Sequence, residues 1–201
     1  MTEGDSLEFT PWVDLYWLPL GAGAAVPIVH WNGLLFEAVA SRREHRPACD
    51  LYHAGLEVGT GAGRFVIEMA PAWGTGSAAA QVATAGPVGF RWLGRSRFFR
   101  YQVRCWRDGV IPDARFAVDS PRRLSTDLST ARRIVDLASS FPTGTWGRDE
   151  FGTGEMWNSN SLVAWLLARS GVDMSSTSPP PRGRAPGWTA GLIVADRQAE
   201  A

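Results

Sequence analysis

Lysine is absent from this 201-residue chain: all 20 basic side chains are arginine. They are matched by 20 acidic side chains, so the formal net charge is zero. A neutral chain presents no global field to gather nucleic acid or an anionic membrane, and no nucleic-acid partner is expected. Arginine as the sole strong cation, beside 22 glycines and 13 prolines, points to a GC-rich genome and carries no function by itself. Long apolar runs are missing too. The most apolar stretch, "WLPLGAGAAVPIVHW", is interrupted by Pro19, Gly21, Gly23 and Pro27, so no transmembrane segment is expected. The opening "MTEGDSLEF" is acidic and lacks the basic-then-apolar order of a secretory signal.

Chemistry-bearing residues are equally sparse. Cys49 and Cys105 stand in no metal or redox spacing and read as two partly buried free thiols. His30, His45 and His53 are not spaced as ligands, so the sequence implies no metal site and no cofactor. Together these features point to the cytoplasm of a bacterium.

What remains is an ordinary globular composition, 45% hydrophobic, which supports one domain over residues 1–201. A short mobile N-terminus, a proline-rich loop at 175–187 and a frayed C-terminus are expected at its margins. The ten tryptophans are scattered one per element, as core and rim packing requires, rather than in a stripe that would bind sugars or bases.

The patterning predicts an α+β fold, an antiparallel sheet packed against a few helices. "VDLYWLPLGAG" reads as a first strand, and "NGLLFEAVASRREH" has helical spacing with a basic C-terminal end. "LYHAGLEV" and "RFVIEMA" read as strands joined by the turn "GTGAG". "FFRYQVRCW" is a further strand whose Arg100, Gln102 and Arg104 share a solvated face. "STDLSTARRIVDLASSF" is a helix capped by Ser125 or Thr126, and "TAGLIVA" is a last strand.

The hairpin can be read more closely. Tyr52, Ala54, Leu56 and Val58 share one face of the first strand, and Phe65, Ile67 and Met69 one face of the second. Pairing Leu56 with Phe65 and Ala54 with Ile67 joins the apolar faces and sets His53 opposite Glu68 on the other side. At about 5 Å between opposed β-carbons, an imidazole can reach a carboxylate.

The helix in "MWNSNSLVAWLLARSG" carries its stripe on Leu162, Val163, Leu166 and Leu167, with Trp165 and Arg169 off its centre. Asn158 or Ser159 caps it, and four small polar residues crowd its mouth, where one cap would suffice. Unpaired N–H groups at such a terminus can hold an anion or an oxyanion. "WGRDEFGTGE", just upstream, reads as a glycine-bearing loop at the pocket rim, with Arg148 or Asp149 near a ligand.

A His on an early strand, in "LYHAGLEV", followed late by a polar helix mouth, in "WNSNSLVAWLL", resembles the circularly permuted papain-like proteins. These include relatives of the NlpC/P60 peptidases and of the lecithin:retinol acyltransferase-like group, and the closest likeness is to bacterial proteins in which Ser replaces the nucleophilic Cys. The resemblance implies a permuted papain-like architecture, with Ser159 at the nucleophile position, His53 as base and Glu68 in place of the polar residue that orients the ring. A Ser hydroxyl has no comparable ionised fraction near neutral pH and depends wholly on a placed base. Two readings follow. In the first, a catalytically inactive papain-like domain binds a peptide, acyl or glycan-type small molecule in a cleft at His53 and Ser159. Asn158, Asn160, Trp157 and Asp149 then contact the ligand. In the second, a serine-dependent hydrolase or acyltransferase attacks an amide or ester through Ser159, His53 and Glu68, and Asn158 or Asn160 steadies the oxyanion.

Overall fold

The computed structural model describes residues 9–21, 42, 45, 47–72, 81–111 and 113–200. Apart from Arg42 and His45, the helix expected over 32–45 lies outside them.

Among the described residues, alternating apolar runs bounded by turn residues give seven strands: β1 (Trp12–Pro19), β2 (Asp50–Thr60), β3 (Gly63–Pro71), β4 (Gln81–Pro87), β5 (Arg100–Arg107), β6 (Val118–Ser125) and the short β7 (Gly183–Arg184). The first six line up as β4-β5-β3-β2-β1-β6, every neighbouring pair antiparallel, and β7 lies parallel to the start of β2. Among the described residues, the helices α1 (Leu128–Leu137), α2 (Ser159–Arg169) and α3 (Trp188–Arg197) cover one face. Leu15, Trp17, Leu56, Ile67 and Val103 of the sheet pack there against Ile134, Leu162, Leu166 and Trp188. Among the described residues the other face buries Leu18, Val66 and Ile111, roofed by the loop after β5. This is the α+β architecture that the patterning predicts.

Several details differ from expectation. Thr60 pairs with Gly63 and leaves Gly61 and Ala62 as the turn, so Leu56 meets Ile67 rather than Phe65. The expected register put Thr60 into the turn. This β-branched residue stays in the strand, where its hydroxyl accepts from Ala62 N (3.2 Å) and donates to Gly63 O (3.3 Å). The shift is two residues, so face parity survives, but Gly55 rather than His53 takes the register position of Glu68. Asp127, not Ser125 or Thr126, caps α1, accepting from Thr130 N at 2.7 Å.

"TAGLIVA" is helical, not a strand. Gly187 supplies the left-handed backbone (φ 88°) that starts α3, and a Cβ there would lie 2.4 Å from Asn158 Oδ1. The helix then presses so closely on α2 that a Cβ on Gly191 would sit 2.4 Å from Ser161 O. Sandwiched between sheet and α3, α2 is buried all round from Asn160 to Leu167, Trp165 included, instead of showing one stripe. Arg104 is buried as well, since β5 is an inner strand, and Nη2 donates to Pro71 O at 3.2 Å.

Candidate functional site

The site arises where the sheet opens. β2 and β3 pair only from Thr60 and Gly63 to Leu56 and Ile67. Past that point β2 stays with β1 as far as Tyr52, and β3 stays with β5 as far as Pro71. Leu20 N donates to Leu51 O at 2.7 Å, so by the antiparallel alternation the odd residues of β2 bond β1. Tyr52 O and Ala54 N therefore point into the opening.

The mouth of α2 fills it. The Asn160 carboxamide accepts from Ala54 N (2.7 Å) and donates to Tyr52 O (3.1 Å), standing in for the missing strand residue. Its second N–H goes to Pro186 O at 2.8 Å. Asn158 caps the helix by accepting from Asn160 N (2.9 Å) and Ser161 N (3.3 Å), and also donates to Pro186 O at 2.8 Å. Ser161 closes the capping box by accepting from Asn158 N at 3.1 Å, and donates to Gly187 O at 2.8 Å. Three of the four small polar residues are thus engaged in joining α2 to β2 and to the start of α3.

Ser159 is the fourth. It is half-buried, and among the described residues neither its hydroxyl nor its backbone N–H has a hydrogen-bond partner. With Leu162 and Val163 it lines a cavity of about 80 Å³. The same cavity is lined by His53 and Gly55 of β2, by Ile67, Glu68 and Met69 of β3, and by Ile111 and Asp113. Residues a hundred positions apart in the chain are therefore brought to one cavity, Ser159, His53 and Glu68 among them.

They share it without forming a hydrogen-bonded relay. Among the described residues no hydrogen bond links Ser159 to His53, or His53 to Glu68. Burial pushes the His53 imidazole below its ordinary range, and the Asp113 carboxylate opposes this only in part, so the ring is neutral near pH 7. Burial pushes Glu68 up, partly offset by the Arg104 guanidinium 3.9 Å away. The charge that His53 feels is Asp113, which follows no periodic pattern in "DGVIPDAR" and had no sequence signal of its own.

The other expected contacts lie elsewhere. Asn160 spends both carboxamide N–H groups on backbone oxygens and Asn158 spends one. Trp157 is a core residue, 1% exposed and stacked on Phe141 at 4.9 Å. Asp149 folds its own loop, accepting from Thr153 N (2.7 Å) and Gly154 N (2.9 Å). None of the four lines the cavity. Arg148 lies over the Phe90 ring at 4.3 Å. Among the described residues Cys49 and Cys105 form no disulfide; both are half-buried, and burial raises the Cys105 thiol to about 11. Among the described residues no three His, Cys, Asp or Glu side chains gather as a metal site, and no helix is long and apolar enough to cross a membrane.

No family model matches the chain, and no match was found among curated proteins or solved structures.

Proposed function

We propose that the chain is a permuted papain-like domain that binds, without turning over, the small polar end of a peptide, acyl or glycan-type ligand between Ser159 and His53. One observation carries the reading: Ser159, the only member of the polar quartet free of structural bonds, opens onto the same cavity as a neutral imidazole. A cavity of about 80 Å³ falls well short of the roughly 300 Å³ or more of a drug-sized pocket, so only a ligand's terminal group enters. Ser159 N–H and Oγ and the His53 ring supply both donors and acceptors for such a group. The missing hydrogen bonds among Ser159, His53 and Glu68 favour binding over turnover.

The test is a fragment screen by amide-resolved NMR with small amides, esters and carboxylic acids. Perturbations at Ser159 and His53 in the wild type, absent in Ser159→Leu, support the reading; fragments that settle elsewhere overturn it. The opposing reading, an active serine hydrolase or acyltransferase, is favoured by Ser159 lying in the first turn of a helix at a cavity that it shares with a neutral base and with Asp113. In that case Ser159 attacks the carbonyl carbon while His53 takes the hydroxyl proton. The C–N or C–O bond then breaks as His53 returns that proton to the departing amine or alcohol, leaving an acyl-serine that water or an acceptor cleaves. Asp113 or Glu68 stabilises the imidazolium. Labelling by a fluorophosphonate that disappears in Ser159→Ala would decide for the enzyme.

A further inference from the structure

The connection from β4 to β5 carries four aromatics (Phe90, Trp92, Phe98, Phe99) and four arginines (Arg91, Arg95, Arg97, Arg100) within residues 90–100, and no acid. It folds as two short 3₁₀ turns, Arg91–Arg95 and Arg97–Phe99, at the tip of the hairpin, and β5 begins only at Arg100. Trp92 is 70% exposed, Phe98 66%, Phe90 51% and Phe99 43%. Half of the eight exposed large apolar side chains among the described residues thus fall in this one segment. Singly exposed apolar residues are ordinary; a contiguous group is a contact surface.

Its charge is one-sided. Arg91 pairs with Glu150 at 3.1 Å, whereas Arg95, Arg97 and Arg100 have no ion-pair partner among the described residues. The neutral total charge therefore conceals a basic tip. Rings that are apolar on their bodies and interleaved with cations match the bilayer interface, where aromatic side chains settle at headgroup depth and arginines meet phosphate. We propose that this hairpin tip docks on an anionic lipid bilayer, Trp92 and Phe98 entering the interfacial layer while Arg95, Arg97 and Arg100 engage headgroup phosphates. A single-stranded nucleic acid fits less well. Base stacking needs open ring faces along a groove. Here the rings stand on a hairpin tip, Arg148 covers one face of Phe90 at 4.3 Å, and Arg97 lies 5.9 Å from the Phe98 ring centre. The proposal is independent of what the cavity binds.

The full chain is co-sedimented with phosphatidylcholine vesicles with and without phosphatidylserine. The expected result is association with the phosphatidylserine vesicles that weakens as salt is raised. Trp92→Ala combined with Phe98→Ala, and separately Arg95→Glu with Arg97→Glu and Arg100→Glu, should each bind about tenfold less or weaker still. Phe116→Ala, an exposed aromatic outside the tip, should bind as wild type. All these side chains are exposed, and unchanged circular-dichroism melts establish that the variants fold. A wild type that stays in the supernatant overturns the proposal. So do tip variants that bind normally, or a single-stranded oligonucleotide that binds through the tip while vesicles do not.

Discussion

Two stretches of this chain break the usual inside–outside rule in opposite senses. At the mouth of α2, Asn158, Asn160 and Ser161 are polar and buried; at the β4–β5 tip, Phe90, Trp92 and Phe98 are aromatic and exposed. The first is tolerated because every carboxamide and hydroxyl there meets a backbone group, which removes the desolvation penalty of an unpaired polar atom. The second has no such internal compensation. Covering the rings would release water from apolar surface, and the surrounding arginines determine what kind of surface can do so. The contrast separates residues that hold the fold from residues left over by it, and Ser159 sits at the boundary: it adjoins the buried network but takes no part in it.

Asn160→Leu should break the comparison most sharply. It strands Ala54 N and Tyr52 O in the opening between β2 and β3 and forfeits the bond to Pro186. A loss of about 3–5 kcal/mol is expected, read in urea melts, with Tm falling by roughly 10 °C. Asn158→Ala removes a cap and one bond to Pro186, for about 2 kcal/mol by the same measurement. Thermal melts against pH test the cavity. His53 binds its proton more weakly in the folded chain than in the unfolded one, where its ordinary value is 6.5. Stability is therefore full above that pH and declines as pH falls through it, because the unfolded chain takes up the proton first. His53→Gln should flatten that part of the profile. Glu68, raised by burial, acts in the opposite sense, contributing less as pH climbs above 4.5. Smallest in stability are Ser159→Ala and Trp92→Ala, each within about 0.5 kcal/mol of wild type. If either costs several times that amount, it belongs with the network and not with the leftover residues.

Much of the fold was legible from local patterning. β1, the β2–β3 hairpin, β5, α1 and α2 follow from alternation, helical spacing and cap chemistry, each a property of neighbouring residues. The failures share a cause. "TAGLIVA" is rich in residues that favour strands, yet α3 forms because Gly187 turns the chain and Gly191 lets the helix lie against α2. The hairpin register slipped by two because parity cannot tell one even shift from another; the turn residues decide. For the site, Ser159 and His53 were visible as candidates, whereas Asp113 was not, because nothing near it in the chain marks it.

By itself the sequence determined the α+β class, the face parity of the β2–β3 hairpin, the place where α2 begins, and the set of small polar residues at its mouth. Those follow from interactions over a few residues, which short stretches already contain. Only the tertiary structure decided that β2 and β3 part company, that Asn160 completes the ladder, and that Ser159 and His53 line one cavity. It also decided that the arginine-flanked rings stay in water. Each of those outcomes depends on which distant surfaces compete for the same buried space.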